Sequence, residues 1–258
     1  MLFRSAVRRV VKAYHILEAG MRVNKLKAMI RAGQKAWGVG FKYKSLPMVE
    51  LAAQLGFDYI FIEGEHGAMS LEDIEEMCIV ADALGLGNVA RVPNLDPDTI
   101  LQFLDRGVMG IRAPHVSTRE DAEALVRACK FPPRGVRSLS AGRAAGYMTP
   151  DDVQAFMRYS NEQVMTVALI EDAEGLRNLP QILEVDGLDV VAFGPFDLAL
   201  SLGEPSPASP SVAEAMKRGI EMIRAAGKIH ERDLMDRVYE LQLFKMGAQE
   251  FLTKARGN

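Results

Sequence analysis

Four residues of chemically useful types come at or just after the ends of apolar runs. His66 follows FDYIFI, Arg91 lies in NVARV, Glu171 follows VMTVALI, and Asp197 comes soon after LDVVAF. Two carboxylates on separate strands can hold one hard divalent cation and leave positions for water and substrate oxygens. An arginine can neutralise an oxyanion, and an imidazole titrates near neutral pH. Together they indicate metal-assisted carbonyl chemistry; read singly, each could equally be a helix cap or a surface ion pair.

The stretch FIEGEHGAMSLEDI places two acids, Glu63 and Glu65, next to His66. Ser70 and Asp73 have the spacing of a capping box and belong to a helix start. A histidine in such a loop is usually structural when it is read alone. Its position directly after an apolar run makes His66 a candidate general base, with the two acids orienting it or its waters.

The residues after the sixth apolar run form a second candidate binding segment. They are Gly194, Pro195, Phe196 and Asp197, in the sequence GPFDL. Because glycine has no side chain, it lets a bound carboxylate approach the backbone N–H groups closely. We expect this segment to contact a carboxylate substrate.

Six apolar runs alternate with amphipathic helical patterns. The runs cover residues 36–41, 57–62, 88–92, 108–113, 164–170 and 188–193. Such alternation is typical of parallel strands that are buried on both faces. Six units favour a (βα)8 barrel over an open doubly wound sheet, and no GxGxxG motif follows a strand. In a barrel, residues that follow the C-terminal ends of strands build the active site, which is where the four candidates lie.

Helix start signals support these elements, and one long segment looks like a functional loop. The loop is PPRGVRSLSAGRAAGY, residues 132–147. The start signals are typical N-cap or first-turn combinations. They are Ser70 with Asp73, Asp96 before Pro97, Ser117 with Glu120, Thr149 with Pro150, and Ser211 with Glu214.

Composition favours a cytoplasmic protein whose ligand is a small molecule. The chain has 258 residues, 48% of them hydrophobic and 25% charged, with a net charge of -3. No basic stripe indicates nucleic acid, and no apolar stretch reaches the roughly 18 residues of a membrane span. Two cysteines, Cys78 and Cys129, form no pair motif, which predicts unpaired thiols in a reducing compartment.

Residues 1–22 are predicted to be an extension outside the folded unit. This segment contains Arg4, Arg8, Arg9 and Lys12 and no acid before Glu18. It could be a short amphipathic extension, the result of an upstream start codon, or, less simply, a transit peptide. Residues 23–258 are predicted to form a single barrel domain.

Five motifs give the chain a resemblance to the HpcH/HpaI aldolase family, covering about residues 23–227. They are GFDYIFIEGEHG, ARVPNLDPDTILQFLDRGVMGIRAPHV, FPPRGVRS, ALIEDAEGLRNLPQIL and GLDVVAFGPFDLALSLG. Members of this family are metal-dependent class II pyruvate aldolases and carbon–carbon lyases. The resemblance implies a (βα)8 TIM barrel and a homo-oligomer, usually a hexamer whose subunits exchange C-terminal helices.

The resemblance also implies a role for each candidate. Glu171 and Asp197 would bind Mg²⁺, Mn²⁺ or Co²⁺, and Arg91 would bind pyruvate. His66 would be the base, supported by Asp105, which pattern alone assigns to a solvated surface. The implied reaction cleaves or forms the C3–C4 bond of a 4-hydroxy-2-keto acid, with pyruvate and an aldehyde as the other partners.

The chain departs from the family pattern at several positions. Leu169 stands where glutamine is common, Glu63 where aspartate is more frequent, and Ala199 where serine is usual. The larger departure from the family pattern follows Lys228. The segment IHERDLMDR is charged there and lacks the alternation of apolar and polar residues that is typical of a strand. We expect at most a poor eighth strand at residues 249–253 and no final helix, so that strands 7 and 8 are atypical or incomplete.

Three other functions stay open at this point. Kinship with citrate lyase β and malyl-CoA lyases suggests a CoA-ester lyase, although no added domain for CoA is evident. Lys42 and Lys44 follow the first strand and could form a Schiff base. The unusual C-terminus suggests, thirdly, a damaged and non-catalytic family member. The sequence does not identify the aldehyde or the preferred metal.

Overall fold

The computed structural model describes residues 22–147 and 150–257, and parallel strands form its centre. The predicted extension, apart from Arg22, and the helix start at Thr149 therefore lie outside the described residues. The strands are β1 (Ala36–Phe41), β2 (Tyr59–Glu63), β3 (Gly87–Arg91), β4 (Gly110–Ala113), β5 (Met165–Ile170), β6 (Val190–Phe193), β7 (Ile229–His230) and β8 (Met235–Tyr239).

Helices follow most of the strands. They are α1 (Lys25–Arg31), α2 (Leu46–Gln54), α3 (Leu71–Leu84), α4 (Pro97–Asp105), α5 (Arg119–Cys129), α6 (Val153–Gln163), α7 (Ala173–Leu183), α8 (Pro195–Ser201), α9 (Pro210–Ala225), α10 (Glu231–Leu234) and α11 (Glu240–Arg256). None of the described helices is long and apolar enough to cross a membrane.

Every pair of neighbouring strands is parallel, in the order β7-β6-β5-β4-β3-β2-β1-β8. The sheet curls like that of a TIM barrel, with β7 and β8 at its two edges. The predicted α/β barrel class with atypical seventh and eighth strands is thereby confirmed. Parallel strands all end at the same face, so their C-terminal ends form one common surface.

The sheet is buried on both sides, as its apolar runs predicted. Along β5, Met165, Val167 and Leu169 belong to the cluster inside the barrel. Ala168 and Ile170 point outward and pack with the helices. This alternation follows from the two-residue period of a strand and holds the strand ends in a fixed frame.

The predicted helix starts are partly right. Ser70 and Asp73 form the predicted capping box, and Asp96 caps α4. Two predictions were wrong by one or two residues. The box of α5 uses Thr118 with Asp121, because Asp121 accepts from the Thr118 backbone N–H while the Thr118 hydroxyl accepts from that of Asp121. Helix α9 begins after Ser209, because proline at the next position suits the first helical turn.

The seventh and eighth strands are atypical, as predicted, but the details predicted for the C-terminus were wrong. IHERDLMDR contains β7, α10 and the start of β8, whereas residues 249–253 lie within α11, a final helix that was not expected. The strand period is hidden because charged residues of this segment point into the barrel. Glu231 lies 3.5 Å from Arg112 and 3.1 Å from Arg237, so these charges pair with one another inside it.

The link between β7 and β8 is unusually short. Parallel neighbours normally need a crossover of about a dozen residues. Here α10 has four residues and carries the chain from the edge of β6 to the edge of β1. β7 pairs with β6 over two residues, and β8 pairs with β1 over five. The seventh strand–helix unit is thus reduced to a two-residue strand and a four-residue helix.

Candidate active site

The C-terminal face of the sheet collects the residues that sequence reasoning selected. Glu63 ends β2 and Arg91 ends β3. His66 lies in the loop after β2, and Glu171 directly follows β5. Asp197 lies in the first turn of α8, which follows β6. Because these strands are parallel members of one curled sheet, the five side chains share one surface.

Glu63 organises one side of this surface. Its carboxylate is 0% exposed. Arg91 donates to both of its oxygens, with Nε at 2.9 and 3.1 Å and Nη2 at 2.7 Å. The backbone N–H groups of Glu65 and His66 donate to Glu63 Oε1 at 3.1 and 3.2 Å. One carboxylate therefore fixes both the arginine and the turn that carries His66.

The charges of Glu63 and Arg91 stabilise each other. Burial by itself raises the pKa of Glu63, but the hydrogen bonds and charge of Arg91 outweigh it, and this pKa lies below its usual value. Burial also tends to lower the pKa of Arg91, whereas Glu63 and Glu65 raise it, and the net shift is upward. Both side chains are thus charged at neutral pH, and Arg91 is held in one orientation.

Glu65 lies between Arg91 and two histidines. Its Oε2 is 2.9 Å from Arg91 Nη1 and 3.7 Å from His66 Nε2. Its Oε1 is 3.7 Å from His115 Nε2. Both imidazoles are exposed, His66 at 61% and His115 at 62% of their side chains. At 3.7 Å neither ring is hydrogen-bonded to Glu65.

Glu171 is held on the opposite side of the surface. It is 3% exposed, and its Oε1 accepts from the His115 backbone N–H at 2.9 Å. His115 Nδ1 lies 3.2 Å from the same oxygen. His115 has a φ of 51°, in the left-handed region that non-glycine residues seldom adopt. A side chain at Gly194 would collide with Glu171 Oε2, so the glycine makes room for this carboxylate.

The negative charge of Asp197 acts on the carboxylate of Glu171. Burial raises the pKa of Glu171, and the charges of Asp197 and Glu65 raise it further, against the lowering effect of His115. Close like charges such as these favour a bound cation. Within the part of the chain that the structure describes, no cluster of three His, Cys, Asp or Glu residues could hold a metal. Mg²⁺, however, is commonly bound by one or two carboxylates together with water and substrate oxygens.

Asp105 is not among the residues that the structure brings to this surface. It ends α4, five residues before β4 begins, and so lies toward the N-terminal ends of the strands. Its Oδ1 is 3.5 Å from Nη2 of Arg137, a residue of the 132–147 segment. Arg143 of the same segment pairs with Asp82 on α3. Within one chain, both Asp105 and the predicted functional loop thus lie away from His66.

Sequence reasoning missed two residues of this surface, His115 and Tyr239. His115 lies two residues after β4, so the rule that selected His66 could have found it. Tyr239 ends β8, and its hydroxyl donates to Glu63 Oε2 at 3.4 Å. No signal pointed to Tyr239, because its strand was not recognised in the sequence.

Lys44 is engaged in ion pairs rather than free. Its Nζ lies 3.0 Å from Asp73 and 2.7 Å from Glu76. Hydrogen bonds to Glu76 and Asp73 raise the pKa of Lys44. A lysine that stays protonated is a poor nucleophile, so this geometry disfavours Schiff-base chemistry at Lys44.

Comparison with known proteins gives concordant results. A family model described as HpcH/HpaI aldolase/citrate lyase matches residues 42–255. The 4-hydroxy-2-oxovalerate aldolase of Rhodococcus jostii (strain RHA1) is 35% identical over 208 residues, which are 80% of each chain. The 4-hydroxy-2-oxo-heptane-1,7-dioate aldolase of Shigella sonnei (strain Ss046) is 32% identical over 206 residues, 80% of this chain and 78% of that one.

A solved structure also matches over most of its length. It is an HpcH/HpaI aldolase/citrate lyase family protein from Burkholderia cenocepacia J2315, with a TM-score of 0.82 and 26% sequence identity. The match covers 91% of this chain and 100% of the other. The curled parallel sheet is therefore the architecture of that protein too.

Proposed function

The chain belongs to the HpcH/HpaI aldolase/citrate lyase family, as its motifs predicted, and we propose that it is a metal-dependent pyruvate aldolase. The reaction cleaves the C3–C4 bond of a 4-hydroxy-2-keto acid into pyruvate and an aldehyde, or forms that bond in reverse. The observation that carries this proposal is the placement of Glu171 after β5 and of Asp197 after β6, on the same surface as a fixed Arg91.

The proposed cofactor is Mg²⁺, Mn²⁺ or Co²⁺, held by Glu171 and Asp197. When bound, such an ion polarises the keto group and stabilises negative charge on its oxygen. His115 fixes Glu171 Oε1 through its N–H, while Oε2 faces Gly194. This arrangement supports a carboxylate that is oriented before any ligand arrives.

Arg91 and the segment after β6 would position the keto acid. The Arg91 guanidinium, fixed by Glu63 and Glu65, supplies positive charge where the enolate oxygen of pyruvate develops. The backbone N–H groups of Phe196 and Asp197 lie in the first turn of α8, where no intrahelical acceptor exists. We assign these N–H groups to the substrate carboxylate.

His66 would act as the general base. In cleavage it takes the proton from the C4 hydroxyl as the C3–C4 bond breaks. Its ring is exposed and lies 3.7 Å from Glu65. We expect His66→Ala to slow cleavage by about 10²–10⁴-fold without changing the binding of divalent metal.

Asp105 can support His66 only if it comes from a second copy of the chain. In one chain Asp105 pairs with Arg137 at the other end of the barrel. Mixing the inactive variants His66→Ala and Asp105→Ala under subunit exchange should then restore activity, because mixed oligomers contain sites with both residues intact. A mixture that stays as inactive as its components would remove Asp105 from the mechanism.

Hydrogen exchange of pyruvate tests the proposed function without knowledge of the aldehyde. Enolate formation replaces the methyl protons of pyruvate with deuterium in heavy water, which NMR detects. We expect exchange with Mn²⁺, loss with EDTA, and loss in Glu171→Ala and Asp197→Ala. Glu174→Ala is the matched control, because this exposed acid lies on α7 close to Glu171 and should leave exchange intact.

Three results would each replace this proposal with another function. Exchange that persists in EDTA, together with borohydride trapping of pyruvate on Lys42, would favour a Schiff-base aldolase. Absence of both exchange and divalent-metal binding in folded protein would favour a non-catalytic family member. Cleavage of a CoA ester in place of a free keto acid would favour the CoA-ester lyase.

A further inference from the structure

The unusual C-terminal segment delivers a tyrosine to the active site. In the β1–β8 ladder Tyr239 pairs with Gly40. A Cβ at Gly40 would lie 2.8 Å from Cδ1 of the tyrosine ring. The ring can therefore lie against β1 only because residue 40 is glycine, which fixes where its hydroxyl points.

The neighbours of the ring hold Tyr239 in place. Phe61 meets it edge-on, with ring centroids 6.2 Å apart and an angle of 82° between the planes. The guanidinium carbon of Arg237 lies 4.0 Å from the Phe61 centroid and 5.9 Å from that of Tyr239. The backbone N–H of Lys42 donates to Glu240 Oε1 at 2.7 Å and ties the next residue to the end of β1. The tyrosine is thus fixed by packing, by charge and by the backbone.

The tyrosine hydroxyl reaches the organising carboxylate from the side opposite to its other partners. Arg91, Glu65 and His66 donate to Glu63 from β3 and from the loop after β2. Tyr239 donates to Oε2 from β8, at 3.4 Å. Glu63, at the end of β2, is therefore held from β3 on one side and from β8, beyond β1, on the other.

We propose that Tyr239 is a positioning residue of the active site. It holds the Glu63 carboxylate, and through Glu63 it sets the orientation of Arg91 and of the turn that carries His66. Its effect on catalysis rests on the proposed aldolase function, whereas its effect on Glu63 does not. The segment that departs most from the family pattern would thereby contribute to the site.

Kinetics of Tyr239→Phe test the catalytic part of the proposal. This variant keeps the ring and its packing and removes only the hydroxyl. Because the hydrogen bond is long, we expect the KM for the keto acid to rise about threefold, with a smaller change in kcat and an unchanged melting temperature. The matched control is Tyr59→Phe, which removes another hydroxyl bonded to the C-terminal segment, at Asp236 O, without touching Glu63.

Amide hydrogen exchange tests the positioning directly and requires no activity. The N–H groups of Glu65 and His66 are protected by Glu63, so they should exchange severalfold faster in Tyr239→Phe than in the wild type or Tyr59→Phe. Unchanged exchange at these two amides would overturn the proposal, even in an active enzyme. Faster exchange in a protein that does not deuterate pyruvate would support the positioning role and reject the aldolase function instead.

Discussion

Two carboxylate–arginine contacts in this molecule resemble each other in chemistry and differ in setting. Glu63 meets Arg91 at the C-terminal ends of β2 and β3, beside exposed histidines. Glu231 meets Arg112 and Arg237 inside the barrel, where the chain crosses between β7 and β8. The first pair lies at the proposed substrate-binding surface, whereas the second lies beneath it.

The difference shows what each contact is for. Glu63 accepts hydrogen bonds from five donor groups and thereby holds Arg91, the proposed pyruvate-binding residue, and the loop that carries His66. Glu231 neutralises arginines that fill a space usually packed with branched apolar residues. Changes at Glu63 should therefore act mainly on activity, and changes at Glu231 mainly on stability.

The largest effect is expected from Glu231→Gln. It leaves two buried guanidinium groups without a carboxylate, which costs about 3–5 kcal/mol when one partner of a buried ion pair is removed. The free energy of unfolding from urea titration measures this loss. Activity per folded molecule, assayed well below the unfolding midpoint, should change little, because Glu231 does not contact the site residues.

Asp233→Asn is the control for Glu231→Gln. Asp233 pairs with Arg224 in the same region of the chain, but both side chains are solvent-accessible. Such pairs contribute about 0–1 kcal/mol, so this variant should remain close to the wild type. Equal losses in both variants would mean that the interior pair has no special role in closing the barrel.

This contrast also explains how far the sequence could predict the fold. The six apolar runs predicted β1 to β6 because each of these strands is buried on both faces. The prediction failed after Lys228, since β8 contains Asp236 and Arg237 and its strand period is masked by charge. Only the three-dimensional structure shows that Arg237 points toward Phe61 and Glu231.

The residues of the candidate site could be predicted only where the ends of the strands could be recognised in the sequence. His66, Arg91 and Glu171 were selected because barrels place functional groups at strand ends, and the structure brings them to one surface. Their roles stay predictions. The role of Glu63 in holding Arg91 and the His66 turn could not be predicted, because the partners of its side chain are set by the tertiary structure. Tyr239 could not be selected, because it ends a strand, β8, that was not recognised in the sequence. The placing of Asp105 at the opposite end follows from α4 running antiparallel to the strands.

A smaller effect is expected from Glu63→Gln. The amide still accepts hydrogen bonds but loses the charge that orients Arg91, and hydrogen bonds to charged groups are worth about 1.5–3 kcal/mol. We expect the KM for the keto acid to rise about ten- to a hundredfold. The stability loss should be smaller than for Glu231→Gln, because Arg91 keeps Glu65 at 2.9 Å. A large stability loss with normal kinetics would invert the comparison.

The smallest effect concerns acid pH, where the two carboxylates should behave alike. For both Glu63 and Glu231 burial raises the pKa, but arginine charges lower it more, so each pKa in the folded protein lies below the usual 4.5. The stability that each contributes is present above about pH 4.5 and is lost as pH falls through its folded-state pKa. Urea midpoints between about pH 6 and 3 should therefore fall less steeply in Glu63→Gln and Glu231→Gln than in the wild type. Curves parallel to that of the wild type would mean that neither carboxylate gains its charge-dependent stability from its arginines.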